Sequence, residues 1–427
     1  MQKTTLSPPP ADPAAMVIVG AGHCGGRAAQ ALRESGWSGA IHLVGDEVAP
    51  PYERPPLSKD LLTGDKSAGD CTLLPVQTMV DLGITRHIAR VMSIDTKARC
   101  VVLSDGVVLT YAALLLTTGG RVRTLNIPGS DLPEVMTLRG LDDAAALATR
   151  LTPGHRLVVI GGGFIGLEVA ASARKLGCDV VLIEGAPRLM GRAVPEPLAE
   201  RALALHRARG VQVILDARLQ SIKPLARGVA VALADGTSVE ADTVLVGVGI
   251  EPATELAQAA GLTVQRGVVV NAHLQTSAPG VYAAGDVVEF PSALSGQLIR
   301  QETWHNAETQ ARIAAVNMQG GEQAYLALPW FWSDQYDYQL QVAGEPALAV
   351  TSVMRVLQED DLIVFYLDDA GRLVGACGWG LSSRMARELK IARTLVERAV
   401  PVAADVLADP ASKLKALLSQ HQAPIAS

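Results

Sequence analysis

Met16-Val17-Ile18-Val19-Gly20-Ala21-Gly22-His23-Cys24-Gly25 decides the fold of this 427-residue chain. Four apolar residues lead straight into a G-x-G-x-x-G turn, the pattern of a buried strand that turns sharply into a helix. The glycines permit the tight turn and let the backbone approach a pyrophosphate at the helix N-terminus. The pattern returns 141 residues later, where Leu157-Val158-Val159-Ile160 runs into Gly161-Gly162-Gly163-Phe164-Ile165-Gly166. Each fingerprint is followed by an acid at the end of a second apolar run. Asp46 lies 21 residues after Gly25, beyond Ile41-His42-Leu43-Val44, and Glu184 lies 18 residues after Gly166, closing Val180-Val181-Leu182-Ile183. An acid at that distance hydrogen-bonds an adenosine ribose. One glycine-rich turn is weak evidence; two in full strand–turn–helix context imply two nucleotides on one chain, an arrangement suited to passing electrons between them.

Both halves continue alike. Leu103-Ser104-Asp105-Gly106 signals a hairpin before the run Ala112 to Leu116 and Thr117-Thr118-Gly119-Gly120, and Leu233-Ala234-Asp235-Gly236 precedes Thr243 to Val246 and Gly247-Val248-Gly249. Asp-Gly pairs between apolar residues favour tight hairpin turns, so a duplicated unit is the simplest account. Val281-Tyr282-Ala283-Ala284-Gly285-Asp286 is a further short strand ending at an acid, and Glu302 to Met318 has helical character. After Leu328-Pro329-Trp330, strand-like runs (Gln339 to Ala343, Leu362 to Leu367, Leu373 to Cys377) give way to helical stretches. The predicted fold is α/β, with two Rossmann-like dinucleotide-binding domains and a C-terminal α+β domain. The first nucleotide domain takes residues 16–124 and 250–327, the second 125–249, and the third 328–427. Residues 1–15 read as a disordered extension without the apolar region of a secretory signal.

A hydrophobic content of 49%, 40 glycines and a net charge of -6 fit a globular enzyme and argue against wholesale nucleic-acid binding. Five dispersed cysteines (Cys24, Cys71, Cys100, Cys178, Cys377) show no metal-ligand spacing and point to a reducing cytoplasm. No apolar stretch has the length to span a bilayer. In the second site, Glu184 accepts from a ribose 2′-hydroxyl and repels a 2′-phosphate, which favours NADH over NADPH. Arg188 and Arg192 pull the other way, since arginine pairs with phosphate. Between the fingerprints, Pro50-Pro51-Tyr52-Glu53-Arg54-Pro55-Pro56-Leu57-Ser58-Lys59 carries four prolines that stiffen the chain ahead of a lysine. By itself this segment reads equally well as a surface loop.

That segment, together with Leu43-Val44-Gly45-Asp46-Glu47, resembles the FAD-dependent redoxin reductases that serve bacterial ring-hydroxylating dioxygenases and cytochrome P450 systems. The resemblance runs from Val17 to the C-terminal domain through Thr117-Thr118-Gly119-Gly120-Arg121, Val159 to Ala170, Ala284-Gly285-Asp286-Val287, Glu302-Thr303-Trp304-His305-Asn306-Ala307 and Trp330-Phe331-Trp332-Ser333-Asp334-Gln335. It implies glutathione-reductase-type nucleotide domains, with FAD in the first site and NADH in the second. Gly20, Gly22, Cys24, Gly25, Asp46, Arg54, Thr118 and Gly119 would bind FAD, with Val91 and Arg139 as further contacts. Asp286 would meet the ribityl-pyrophosphate region, and Trp304 and Lys59 would lie beside the isoalloxazine ring. Gly161, Gly163, Ile165, Gly166, Glu184, Arg192 and Gly249 would hold NADH. Lys59 and Glu168 would form the catalytic pair where nicotinamide docks, although Glu168 alone reads as an ordinary first-turn helix acid. No metal is expected.

The resemblance further implies a small iron–sulfur ferredoxin as electron acceptor, served by a monomer or homodimer. Arg384, Arg387, Lys390, Arg393 and Arg398 are candidates to dock an acidic partner, against the plainer reading of a solvated helix face. Three residues depart from the family pattern: Cys24 and Thr117 replace alanine, and Ala253 replaces asparagine. No cysteine lies between Cys24 and Cys71, so the dithiol of glutathione reductases is missing, and electrons would pass from flavin directly to the partner. The alternatives are an NADH oxidase or peroxidase-like flavoprotein, for which Cys71 is poorly placed, and a binding flavoprotein like apoptosis-inducing factor, which the acidic charge disfavours.

Overall fold

Met16–Val19 is buried on both faces, as suits the central strand of a covered parallel sheet. In the computed structural model, which describes residues 15–191, 193–358 and 360–420, this strand is the middle of a five-stranded parallel sheet. The extension expected at the N-terminus lies outside the described residues up to position 14. Ile41–Gly45 and then Ile84–Ile88 lie on one side of the central strand, and Ala113–Leu116 and then Val281–Ala283 on the other. Arg156–Ile160 is likewise central to a second five-stranded parallel sheet. Asp179–Ile183 and Gln212–Ile214 flank it on one side, Thr243–Val246 and Val135–Thr137 on the other.

The duplication extends to the antiparallel parts. Each half carries a three-stranded meander rather than the single hairpin expected. The first is Val91–Asp95, Cys100–Leu103 and Val108–Thr110; the second is Leu219–Pro224, Val229–Leu233 and Ser238–Ala241. The C-terminal segment is a five-stranded antiparallel sheet in the order Trp330–Gln335, Tyr338–Gly344, Leu373–Leu381, Leu362–Leu367, Thr351–Val356. The helix Ser382–Glu397 turns Met385, Leu389, Ala392, Leu395 and Val396 inward to pack with Phe365, Ala376 and Leu373. Its first and last strands carried no alternation clear enough to be read from sequence.

The chain divides into two compact units whose borders differ from the three expected domains. Of the described residues, one holds 15–54, 69–121 and 251–327. The other holds 55–68, 122–250 and 328–420, so that the second nucleotide-binding region and the C-terminal sheet share a unit. Residues 55–68 had been assigned to the first domain by chain order. They join the second unit because their polar groups bond there: the Ser172 hydroxyl donates to Ser58 O at 2.8 Å, and Lys175 pairs with Asp65 at 2.7 Å.

Candidate active site and nucleotide cradles

Within the first unit, the fingerprint feeds the helix His23–Glu34. Gly22 caps that helix with no side-chain hydrogen bond, and no acid stands in its first turn. Its leading N–H groups and the positive end of its dipole therefore face outward as a ready anion site. Gly20 sits at φ +112, and a Cβ there would lie 2.2 Å from Thr117 O; a Cβ on Gly25 would lie 1.8 Å from Gly20 O. Glycine is required by backbone crowding at both positions. The Arg54 guanidinium comes within 3.7 Å of where a Gly22 Cβ would stand. It is held there by Glu47 at 2.7 Å, lies over the Tyr52 ring and feels the charge of Asp286. A cation at an uncapped helix N-terminus fits the diphosphate of a dinucleotide.

The other residues expected here are placed as follows. Asp46 follows its strand but is half exposed and paired with Arg90 at 3.1 Å. Thr118 donates to Ala253 O at 2.8 Å, and Gly119 O accepts the Ala253 N–H at 2.9 Å. Ala253, one of the departures, thus contributes through its backbone. Thr117, another departure, donates to Gly20 O at 2.8 Å and ties the fingerprint loop to the returning strand. Val91 opens the first meander. Cys24 is buried, and burial first, then the charges of Asp286 and Glu308, push its thiol far above the ordinary range, which keeps it as the neutral thiol. Trp304 begins the helix Trp304–Met318, donates to Glu53 at 3.2 Å and meets the His23 ring edge-on at 5.3 Å. Sequence reading overlooked that last helix's Glu308, which receives His23 and Arg27 on one oxygen and Arg312 on the other.

In the second unit, the helix Phe164–Lys175 repeats the design: Gly163 caps it without a side-chain bond, and no heavy atom lies within 4 Å of a Cβ built there. Gly161, at φ +110, and Gly166 hold the turn, and Gly249 is also at positive φ. Ile165 is exposed at the head of the helix. Glu184 reaches back to the loop, accepting from Gly162 N at 2.6 Å and Ala186 N at 2.7 Å. Arg188, the competing cation, donates to Val194 O at 2.7 Å. Arg192 lies outside the described residues. Arg139, a further expected FAD contact, belongs to this unit, where its N–H donates to Asp143 at 2.8 Å.

The same unit assembles the expected pair of Lys59 and Glu168 and adds members that the sequence did not suggest. Glu168 is buried, and its oxygens accept from Ser58 Oγ at 2.5 Å and Ser333 Oγ at 2.7 Å. Burial raises its carboxyl above the usual range, although Lys59 and the two hydroxyls work against that rise. Lys59 Nζ lies 3.7 Å from Glu168 and 3.1 Å from Asp334. Beyond Ser333, Gln335 bonds the buried His206 at 3.0 Å, whose imidazole burial pushes down to about 4. Ser58 and Ser333 looked like loop and strand residues. Only the paired strands Trp330–Gln335 and Tyr338–Gly344 bring Ser333 and Asp334 to this place. Of the basic stretch, Arg384 pairs with buried Asp361 and Arg393 lies over the Trp330 ring at 4.9 Å. Arg387, Lys390 and Arg398 are exposed.

Two dinucleotide cradles and a C-terminal antiparallel sheet match known proteins along most of the chain. Residues 14–311 fit the pyridine nucleotide-disulphide oxidoreductase model and residues 330–418 the reductase C-terminal model. The chain belongs to the pyridine nucleotide-disulphide oxidoreductase family. It is 41% identical over 414 residues to the ferredoxin–NAD(+) reductase component of the anthranilate 1,2-dioxygenase system of Burkholderia cepacia, covering 96% of this chain and 100% of that one. It is 37% identical to putidaredoxin reductase of Pseudomonas putida, covering 96% and 98%. Among solved structures it is similar to the covalent putidaredoxin reductase–putidaredoxin complex, at TM-score 0.91 and 36% identity over 96% of this chain and 99% of that one. The ferredoxin reductase for the CYP199A2 system of Rhodopseudomonas palustris gives TM-score 0.89 and 35% identity, covering 94% and 99%. Members of this family use FAD and NAD(H). The disulphide of the family name has no counterpart here, because all five cysteines are free.

Proposed function

We propose that this chain is an NADH:ferredoxin reductase of the EC 1.18.1 type, passing electrons from NADH to a small iron–sulfur ferredoxin that feeds a ring-hydroxylating dioxygenase or a P450. The observation that carries this reading is the end-to-end match, C-terminal domain included, to reductases of dioxygenase and P450 systems. When bound, FAD supplies the conversion of a two-electron hydride into single electrons, and the protein supplies binding, orientation and electrostatics. The uncapped helix at Gly22 and the Arg54 guanidinium would hold the FAD diphosphate, and Asp46 would take the adenosine ribose. Gly163 leaves room for the NADH diphosphate at the second helix. Glu184 takes the NADH ribose hydroxyl and disfavours a 2′-phosphate, while Arg188 is engaged with Val194 O. Lys59 and Glu168 order the place where nicotinamide docks. Dispersed free cysteines support a cytoplasmic location.

The test is anaerobic mixing of the yellow holoprotein with NADH, then cytochrome c reduction with and without added ferredoxins. Rapid bleaching and turnover that depends on ferredoxin are expected. A colourless protein that cannot be reconstituted, or turnover with oxygen that ignores ferredoxin, would overturn the reading.

A further inference from the structure

Lys59 has two carboxylates within reach, and they are not equivalent. Glu168 is fully enclosed, and both its oxygens are already occupied by hydroxyl donors, Ser58 on one and Ser333 on the other. Lys59 Nζ stands 3.7 Å from it, beyond hydrogen-bond length. Asp334 is a third exposed and accepts Lys59 at 3.1 Å. It is also gripped by Trp332 Nε1 at 3.0 Å and by Gln339 Nε2 at 2.7 Å, its register partner on the next strand. Three donors thus converge on its two oxygens.

We propose that Asp334 is the positioning residue that holds Lys59 for the reaction, through an ion pair at 3.1 Å that is closer than the one Lys59 makes with Glu168 at 3.7 Å. The inference rests on the reading of this chain as a flavin-dependent reductase. Geometry supports it: both Glu168 oxygens are taken by Ser58 and Ser333, whereas Asp334 stands at hydrogen-bond distance from Lys59 Nζ. The consequence lies in domain use. Lys59 comes from the proline-rich segment near the start of the chain, and the group that fixes it comes from the C-terminal antiparallel sheet. That sheet therefore takes part in ordering the nicotinamide side of the site.

The experiment is a double-mutant comparison on the holoenzyme, reading the anaerobic rate of flavin reduction by NADH, the flavin midpoint potential and the melting temperature. Asp334→Asn and Lys59→Met should each slow reduction about tenfold, the order of one charge-assisted hydrogen bond. Both should move the potential in the same direction. The double variant should be no slower than Lys59→Met alone, and Asp334→Glu should recover most of the rate and the potential. Glu168→Gln should couple to Lys59→Met more weakly than Asp334→Asn does. Multiplying effects of Asp334→Asn and Lys59→Met, an unmoved potential in Asp334→Asn, or stronger coupling of Lys59→Met to Glu168→Gln than to Asp334→Asn would each overturn the proposal. Should Asp334→Asn fail to fold, Gln339→Leu, which removes one donor from Asp334, takes its place with the same expected coupling. Wild-type protein that binds no flavin would instead sink the reductase reading itself.

Discussion

Replacing Glu184 with alanine should weaken the NADH preference proposed for the second cradle. The carboxylate accepts two backbone N–H groups, Gly162 at 2.6 Å and Ala186 at 2.7 Å, so it is fixed against the fingerprint loop rather than free in solvent. A charge-assisted hydrogen bond from a ribose hydroxyl to such a fixed acceptor is worth about 1.5–3 kcal/mol. Its loss therefore predicts a rise in the NADH dissociation constant of roughly ten- to a hundredfold. NADPH should lose nothing comparable, because its 2′-phosphate is relieved of a like charge at the same place. The ratio of kcat/KM for NADH over NADPH should fall by at least about tenfold, with most of the change in KM. Ferricyanide reduction at fixed ionic strength, with each nucleotide titrated, measures it. Glu184→Gln should fall between, keeping an acceptor but not the charge. An NADH KM within twofold of wild type and an unchanged ratio would refute the reasoning.

Three other outcomes follow from the geometry. Gly25→Ala places a methyl 1.8 Å from Gly20 O and should cost about 3 kcal/mol or more, giving protein that lacks flavin absorbance; a full flavin-to-protein ratio would contradict it. Glu308, against the cost of burial, is held down to about 2 by His23, Arg27 and Arg312, so it should contribute about 3 kcal/mol at neutral pH. That stability is present above the ordinary carboxylate range and lost as pH falls toward 2. Urea midpoints at pH 7 and pH 3 should converge between wild type and Glu308→Gln, and parallel curves would count against it. Reversing charge at Arg387 and Lys390 should slow association with an acidic ferredoxin about tenfold at low salt and little at high salt, as stopped-flow reduction of cytochrome c through the ferredoxin would report.

Local sequence determined both nucleotide cradles. A strand of four apolar residues, a turn that only glycine tolerates and an acid at the next strand end are set within about thirty residues, so the chain spells them out. The runs Leu362–Leu367 and Thr243–Val246 were legible for the same reason: each is a continuous apolar strand bounded by polar turns. Tertiary structure alone decided the surroundings of Lys59. Ser58, Glu168, Ser333 and Asp334 come from three distant segments, and nothing in their spacing says that they meet. Their polar groups converge because burial leaves each needing a partner, and only the folded sheet and helix put those partners within hydrogen-bond reach. Residues 55–68 illustrate the same limit: chain order assigned them to one unit, and hydrogen bonds carried them to the other.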